Sequence, residues 1–365
     1  MTRRRSWAGS RLALGLSPTP LSGVFLPIGI ALGPEGLRLL SPRGLSFIDP
    51  VVSVALAALG VLIGLGLDMR RPGEARLLAA ASVEAGLTIV MVGTGLFALT
   101  AVRPLPGLEI WLAALVLGIC AAASSTAPGG EGGPSGQTIV DRVGDLDDVL
   151  PILLGGLALG LLRAPESAEA WWLTAQAIGL ALAIAGAGAL LVAQASSDAE
   201  QGVFTIGTIL LLGGTADFLA LSPLLAGLVA GAVWSVIGGD IRNRIARDVR
   251  HMQHLLVVLL LLIAGAQVGF SAGLAVFWVA YVVLRMAGKI AGGWLLRRVA
   301  AGAGRDLPPR LGLRLLSPGV VAIAFALNAT RVAGEQGDAL LVIAVAGSIL
   351  SEVVSLLLRP RGSGA

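Results

Sequence analysis

Lysine is almost absent from this 365-residue chain: of its 26 basic residues only Lys289 is not an arginine. Charge of either sign is scarce, at 13% of residues, where a soluble globular protein carries roughly a quarter. With 56% hydrophobic residues and a mean hydropathy of +0.88, that scarcity excludes a soluble globular fold and indicates a polytopic membrane protein embedded in a lipid bilayer. A single cysteine, Cys120, excludes an intrachain disulfide. Neither an HExxH nor a GxSxG pattern occurs, which removes the zinc-protease and serine-hydrolase readings. No small-residue cleavage site follows Arg3, Arg4, Arg5 and Arg11, so the basic start reads as a cytoplasmic tail and not a signal peptide. A net charge of +4 would suit a nucleic-acid binder. The arginines instead gather at the ends of apolar runs, where they act as topology signals, and no nucleic-acid partner is expected.

Apolar runs are what the chain has in abundance. They predict membrane helices near 19–37, 51–67, 76–101, 108–127, 137–162, 171–193, 204–220, 222–238, 254–270, 272–296, 310–331 and 337–357, about twelve in all. The 51 glycines fit helices that pack closely in lipid. With both termini placed in the cytoplasm, the inner segments hold 17 arginines and the outer ones 5, the asymmetry that the positive-inside rule requires. On this count His251 and His254 fall in a solvated cytoplasmic loop, and residues 1–18 and 359–365 are tails flanking a membrane domain at 19–358.

Three features inside these helices carry chemistry. The fifth predicted helix runs 26 residues from Gln137 to Leu162 with Asp147 and Asp148 near its middle, roughly 15 Å deep at about 1.5 Å per residue. An ionised carboxylate at that depth costs on the order of 3 kcal/mol or more, so packing alone does not account for two of them. A helix starting at the aspartates would place both in water as caps, but its remaining 15 residues fall short of a membrane. The fourth helix ends in AAASSTAPGGEGGPSG, with Ser124, Ser125, Thr126 and Pro128, and the eleventh is interrupted at Ser317, Pro318 and Gly319. Such breaks are tolerated in a bilayer only where protein or a water-filled cavity satisfies the freed backbone. Each break lies one helix from an intramembrane charge, so helices three to five and ten to twelve read as an inverted repeat with two broken helices crossing at the midplane. Lys289 lies within the tenth helix, eight residues or about 12 Å from Arg297 at its cytoplasmic end. Lysine can titrate where arginine does not, so the choice matters where a group must switch. Arg285, one turn earlier on the same face, is expected to pair permanently with a buried acid such as Glu84. Glu84, Gln267, Asn328 and Glu352 read as ordinary polar contacts across the bundle, and Asp217 as a solvated helix end.

Taken in order, GPEGL (Gly33 to Leu37), SSTA (Ser124 to Ala127), the aspartate pair, LSPLLAGLVAG (Leu221 to Gly231) and RMAGK (Arg285 to Lys289) resemble the monovalent cation/proton antiporter superfamily, nearest its Kef-like branch. The resemblance covers about residues 20 to 358. It implies alternating access, a dimerisation unit and hence a homodimer, a core at about 76–162 and 272–357, and a bacterial cell membrane. It implies no cofactor and, in a chain stopping at Ala365, no cytosolic nucleotide-binding domain. By the same likeness Asp148 is the principal cation- and proton-binding carboxylate, Asp147 is its neighbour paired with Lys289, and Thr126 lies at the crossing. Two departures stand out: Pro128 to Gly136 replaces an apolar half-helix, and Ser317-Pro318-Gly319 stands where a Gly-Glu pair is frequent in the Kef-like branch.

An intramembrane carboxylate that holds either a proton or a monovalent cation (Na⁺, Li⁺ or K⁺) couples the two gradients by competition. Hard cations take oxygen ligands, which Asp148, Thr126 and unwound carbonyls supply. Two carboxylates and a titrating lysine can exchange two protons for one cation. A channel-like K⁺ efflux protein and an organic-anion symporter are the alternatives within transport. An intramembrane aspartyl protease needs a second aspartate on a facing helix, about 3 Å away, and no second apolar helix offers one; an enzyme is not expected.

Overall fold

The computed structural model describes residues 21–104, 109–125, 134–164, 167–269, 272–301, 307 and 310–358. Among them the chain forms α1 (Leu21–Leu32), α2 (Pro42–Gly66), α3 (Glu74–Val102), α4 (Ile110–Ala122), α5 (Pro134–Leu146), α6 (Val149–Arg163), α7 (Ser167–Gln194), α8 (Asp198–Phe218), α9 (Pro223–Ile237), α10 (Gly239–Ala266), α11 (Ala275–Ala301), α12 (Leu311–Arg314), α13 (Val320–Ala333) and α14 (Asp338–Leu358). No strand occurs among the described residues. Six helices, α2, α3, α7, α10, α11 and α14, are long and apolar enough to cross a membrane singly. The shorter apolar α1, α4, α9 and α13 add to them in a multi-pass all-α fold. Each of the twelve segments read from the sequence falls on a described helix or on a broken pair.

Local chemistry explains where several helices begin. Ser41, Ser197 and Ser222 cap α2, α8 and α9, their hydroxyls accepting from the amides of Gly44, Glu200 and Leu225. Pro42 and Pro223 then occupy first-turn positions that need no donor. The fifth predicted helix is not continuous. It parts into α5 and α6 at Asp147 and Asp148, because Pro151 has no N–H to give the carbonyl of Asp147, four residues back. A helix does start beside the aspartates, yet they are 0% and 5% exposed and do not cap it from water. The predicted loop around 242–250 is also corrected. Arg242, Arg244, Arg247, Arg250, His251 and His254 all belong to α10, whose polar first half extends an apolar second half in one continuous helix.

The closest helix pairing is α2 against α9. A Cβ added at Gly60 or Gly64 would run into the α9 backbone, and one at Gly227 or Gly231 into that of α2, so the motif carrying LSPLLAGLVAG is a seam of direct backbone contact. At one end of this pair Arg242 of α10 donates to Asp68 at 3.2 Å and to the Leu65 carbonyl at 3.0 Å. Partial burial alone would raise the Asp68 carboxyl, but the hydrogen bond and charge of Arg242, with Arg71, hold it below the usual carboxylate range. That tie therefore contributes above the ordinary carboxylate range and is lost only as pH falls through the lowered value. At the α13 end, Arg331 bonds Asp217 at 2.7 Å and Ser53 at 2.5 Å, so Asp217 is an ion-pair partner and not simply a solvated helix end.

The arginine-rich start of α10 gives a direct test of orientation. Asn243 is exposed there. A single cysteine at that position, in a Cys120→Ser background, is expected to react with an impermeant maleimide only from the cytoplasmic side. Reaction from outside would reverse the topology.

Candidate functional site

Two interrupted helices meet at the site. After α4 stops at Ala122, Ala123 to Ser125 continue as non-helical chain; α12 is a single turn, and non-helical chain leads from it to α13. The breaks satisfy one another. An antiparallel bridge joins Ser124 to Pro318. The Ser125 amide donates to the Ser317 carbonyl at 2.9 Å and the Gly319 amide to the Ala123 carbonyl at 3.4 Å. The Ser125 hydroxyl donates to Ser317 Oγ and to the Pro318 carbonyl, each at 3.1 Å. Irregular backbone persists in a membrane interior on this condition.

The end of α4 leaves the carbonyls of Ala121, Ala122 and Ala123 without helical donors, and α11 supplies them. Arg285 donates to Ala121, to Ala123 at 3.0 Å and to Ser317 at 3.4 Å, while Lys289 donates to Ala122. Cations at a helix C-terminus also meet the negative end of its dipole. Lys289 Nζ lies 3.2 Å from Glu84 Oε2, 3.2 Å from Asp147 Oδ2 and 3.3 Å from Ser124 Oγ. The expected Arg285–Glu84 pair is thus replaced by Lys289–Glu84. Gly288 and Gly292 flank the lysine and let α3 approach: a Cβ at Gly292 would come within 2.9 Å of the Glu84 side chain. Arg285 instead spans several carbonyls, a task for its planar fork.

Asp147 receives the hydroxyl of Ser124 as well. Both carboxylates keep one buried oxygen, Oδ1, without a hydrogen-bond partner. The crossing brings together Asp147, Asp148, Lys289, Arg285, Ser124, Ser125, Ser317, Pro318 and Gly319. Thr126 and Pro128 lie outside the described residues. Two acids read from the sequence as ordinary polar contacts belong here too: Glu84, and Glu352 of α14, which receives the Ser317 hydroxyl at 2.8 Å. Their signal in the sequence was an acid well inside an apolar run. Of the other two, Asn328 donates to Ser222 at 3.5 Å, and Gln267 lines an open cavity of about 490 Å³ beyond α10, away from the crossing.

Among solved structures, the chain is similar to that of the sodium proton antiporter MjNhaP1 from Methanocaldococcus jannaschii at pH 8, with a TM-score of 0.65 over 91% of each chain. The two chains share one fold. Sequence identity to MjNhaP1 is 15%, so the likeness is one of fold. No protein-family profile and no curated protein matches the sequence. Within this fold, the elements that meet at the crossing are α3 to α6 and α11 to α14, the same ones that the inverted-repeat reading paired.

Removing one member of the buried Lys289 cluster strands the others. Lys289→Ala leaves Glu84 and Asp147 facing each other without their ammonium, and a loss of about 3–5 kcal/mol is expected. Thermal unfolding in detergent should register it. Adding Glu84→Gln and Asp147→Asn to that variant should recover a large part. A Lys289→Ala protein as stable as wild type would contradict the arrangement.

Proposed function

We propose that this protein is a secondary antiporter that exchanges a monovalent cation for protons across the membrane. The observation that carries the reading is the pair of buried carboxylates, Asp147 and Asp148, set at crossed helix breaks and each holding an unpartnered oxygen. An oxygen-lined position of that kind suits a hard monovalent cation, since carboxylate, hydroxyl and unwound carbonyl oxygens are its preferred ligands. The fold likeness to a sodium proton antiporter supports the same reading.

In this mechanism Asp148 holds the cation or a proton, never both, and so couples the two gradients. Asp147 shares the position and is held by Lys289, which keeps a second acid, Glu84, within reach. When a cation approaches Asp147, the ammonium can lean toward Glu84 and remain paired. Arg285 keeps the α4 carbonyls fixed while the neighbouring charges change. Alternating access requires the crossing to move as a unit. We assign α3 to α6 and α11 to α14 to that moving core, and α1, α2 and α7 to α10 to a supporting unit built on the α2–α9 seam, with two such chains forming a dimer. Na⁺, Li⁺ and K⁺ are the candidate substrates, and a cell membrane is the proposed location.

The test is dissipation of an imposed pH gradient in proteoliposomes on addition of each alkali cation. Wild type is expected to respond to at least one of them. Asp148→Asn should abolish the response, and Asp147→Asn should reduce it less. Normal cation-evoked proton flux in Asp148→Asn would remove the site assignment, and silence of wild type with every alkali cation would remove antiport.

A further inference from the structure

The connection between α8 and α9 receives three side chains from the other half of the fold. Arg331, in the last turn of α13, bonds Asp217 at 2.7 Å and Ser53 of α2 at 2.5 Å, and its Nε lies 3.7 Å from Asp49 of α2. Ser53 closes the triangle, its hydroxyl donating to the same Asp217 oxygen at 2.8 Å. Arg163, which ends α6, donates to the Leu219 carbonyl. Asn328, one turn before Arg331, donates to the Ser222 hydroxyl at 3.5 Å. The connection itself is held tightly. Ala220 stands in the left-handed region at a φ of 50°, and the amides of Ala220 and Leu221 donate to the carbonyls of Asp217 at 2.9 Å and Ala216 at 2.7 Å. An alanine in that region carries a steric cost that glycine avoids, and it persists only where its surroundings fix it.

Arg163, Asn328 and Arg331 belong to the core proposed above, and their acceptors to the supporting unit. Among the described residues every ion pair that crosses between the two involves Arg331. At the opposite end of the bundle Arg142 of α5 does reach the Gly66 carbonyl of α2 at 2.7 Å, but its ion-pair partners, Glu74 and Asp145, lie within the core. Beside the α8–α9 connection the two units do not close completely. A cavity of about 10 Å³ remains there, lined by Gly156, Leu159 and Gly160 of α6, Thr174 and Ala177 of α7 and Leu225 of α9.

We infer that Arg331 is a gate residue: its network on Asp217, Ser53 and Asp49 latches the core to the supporting unit at the outer end of the bundle and shuts the crossing off from that side. The positive-inside orientation sets the polarity. α9 carries the α8–α9 connection at its N-terminus and leads at its C-terminus into the arginines of α10, so the two lie at opposite ends. Exposure decides how firmly the latch holds. The side chains of Arg331 and Asp217 are 15% and 34% exposed, so water replaces each partner at little cost. Such a network biases two states several-fold without locking either, whereas a packed apolar face in its place would have to part as one body. The inference rests on the division into a moving core and a supporting unit made above.

Cysteine accessibility on the full chain in oriented membranes tests it. Ala177 lines the cavity at the boundary and is 3% exposed, so Ala177→Cys in a Cys120→Ser background is expected to react slowly with an impermeant maleimide added outside. Adding Arg331→Gln should raise that outer rate several-fold. Arg242→Gln cuts a tie of similar exposure that lies wholly inside the supporting unit, and it should leave the rate unchanged. No rise with Arg331→Gln, an equal rise with Arg242→Gln, or a rise from the cytoplasmic side alone would each overturn the gate. Asp217→Asn keeps the arginine and removes its nearest partner; a smaller rise in the same direction is expected, and this variant decides the point where Arg331→Gln does not fold. The labelling needs no transported cation. A shift in labelling with no cation-evoked proton flux would therefore support the gate and remove antiport, and normal flux with no shift would remove the gate alone.

Discussion

The structure depends on one ammonium group placed where water does not reach. Lys289 Nζ is shared by Glu84 and Asp147 at the same distance and also closes the end of α4 through Ala122. None of the three charged side chains has exposed surface. Desolvating such groups costs several kcal/mol per ion, and the cost is met only while every partner is in place. The lysine therefore fixes the approach of α3 to α11, the end of α4 and the position of the aspartate turn together. Gly288 and Gly292 are the steric condition for this arrangement, because larger residues there would hold Glu84 away.

Ser317 plays the corresponding part for the second break. Its carbonyl receives the Ser125 amide and Arg285, and its hydroxyl links Ser125 to Glu352. Two irregular segments thus replace the hydrogen bonds of a continuous helix with bonds to each other and to two cations. These are directional contacts between few atoms, and they can be exchanged for others at smaller cost than a packed apolar face can be moved. Charge, irregular backbone and unpartnered carboxylate oxygens coincide at one place for this reason.

Away from the crossing the chain is held differently. The α2–α9 seam is backbone against backbone, with four glycines replacing side chains; Arg242 of α10 ties Asp68 just past the end of α2, and Arg331 of α13 joins Asp217 of α8 to Ser53 of α2. Dispersion over a long seam gives a rigid body, while the partly exposed ion pairs around it add little stability and chiefly fix register. The same fold thus contains a dry seam suited to staying fixed and a polar crossing suited to changing partners.

Much of this was legible in the sequence because it is local. Apolar runs are as long as a bilayer is thick, Pro and Gly interrupt helices wherever they stand, and Asp147, Asp148 and Lys289 are conspicuous since burying charge in lipid is costly anywhere. The division between α5 and α6 was local too, through Pro151 and the carbonyl four residues before it, as was the helical continuation of α10 through its arginines. What the sequence by itself determined was the set of membrane helices, the two breaks and the presence of buried charge. Only the tertiary structure decided which acid the lysine meets, since Glu84 and Lys289 are 205 residues apart and their contact depends on how closely α3 packs against two glycines of α11. It also decided that Arg285 serves carbonyls and that Glu352 joins the crossing through Ser317. Pairing between distant helices is set by the shape of their packed faces, which no periodicity along a single helix records.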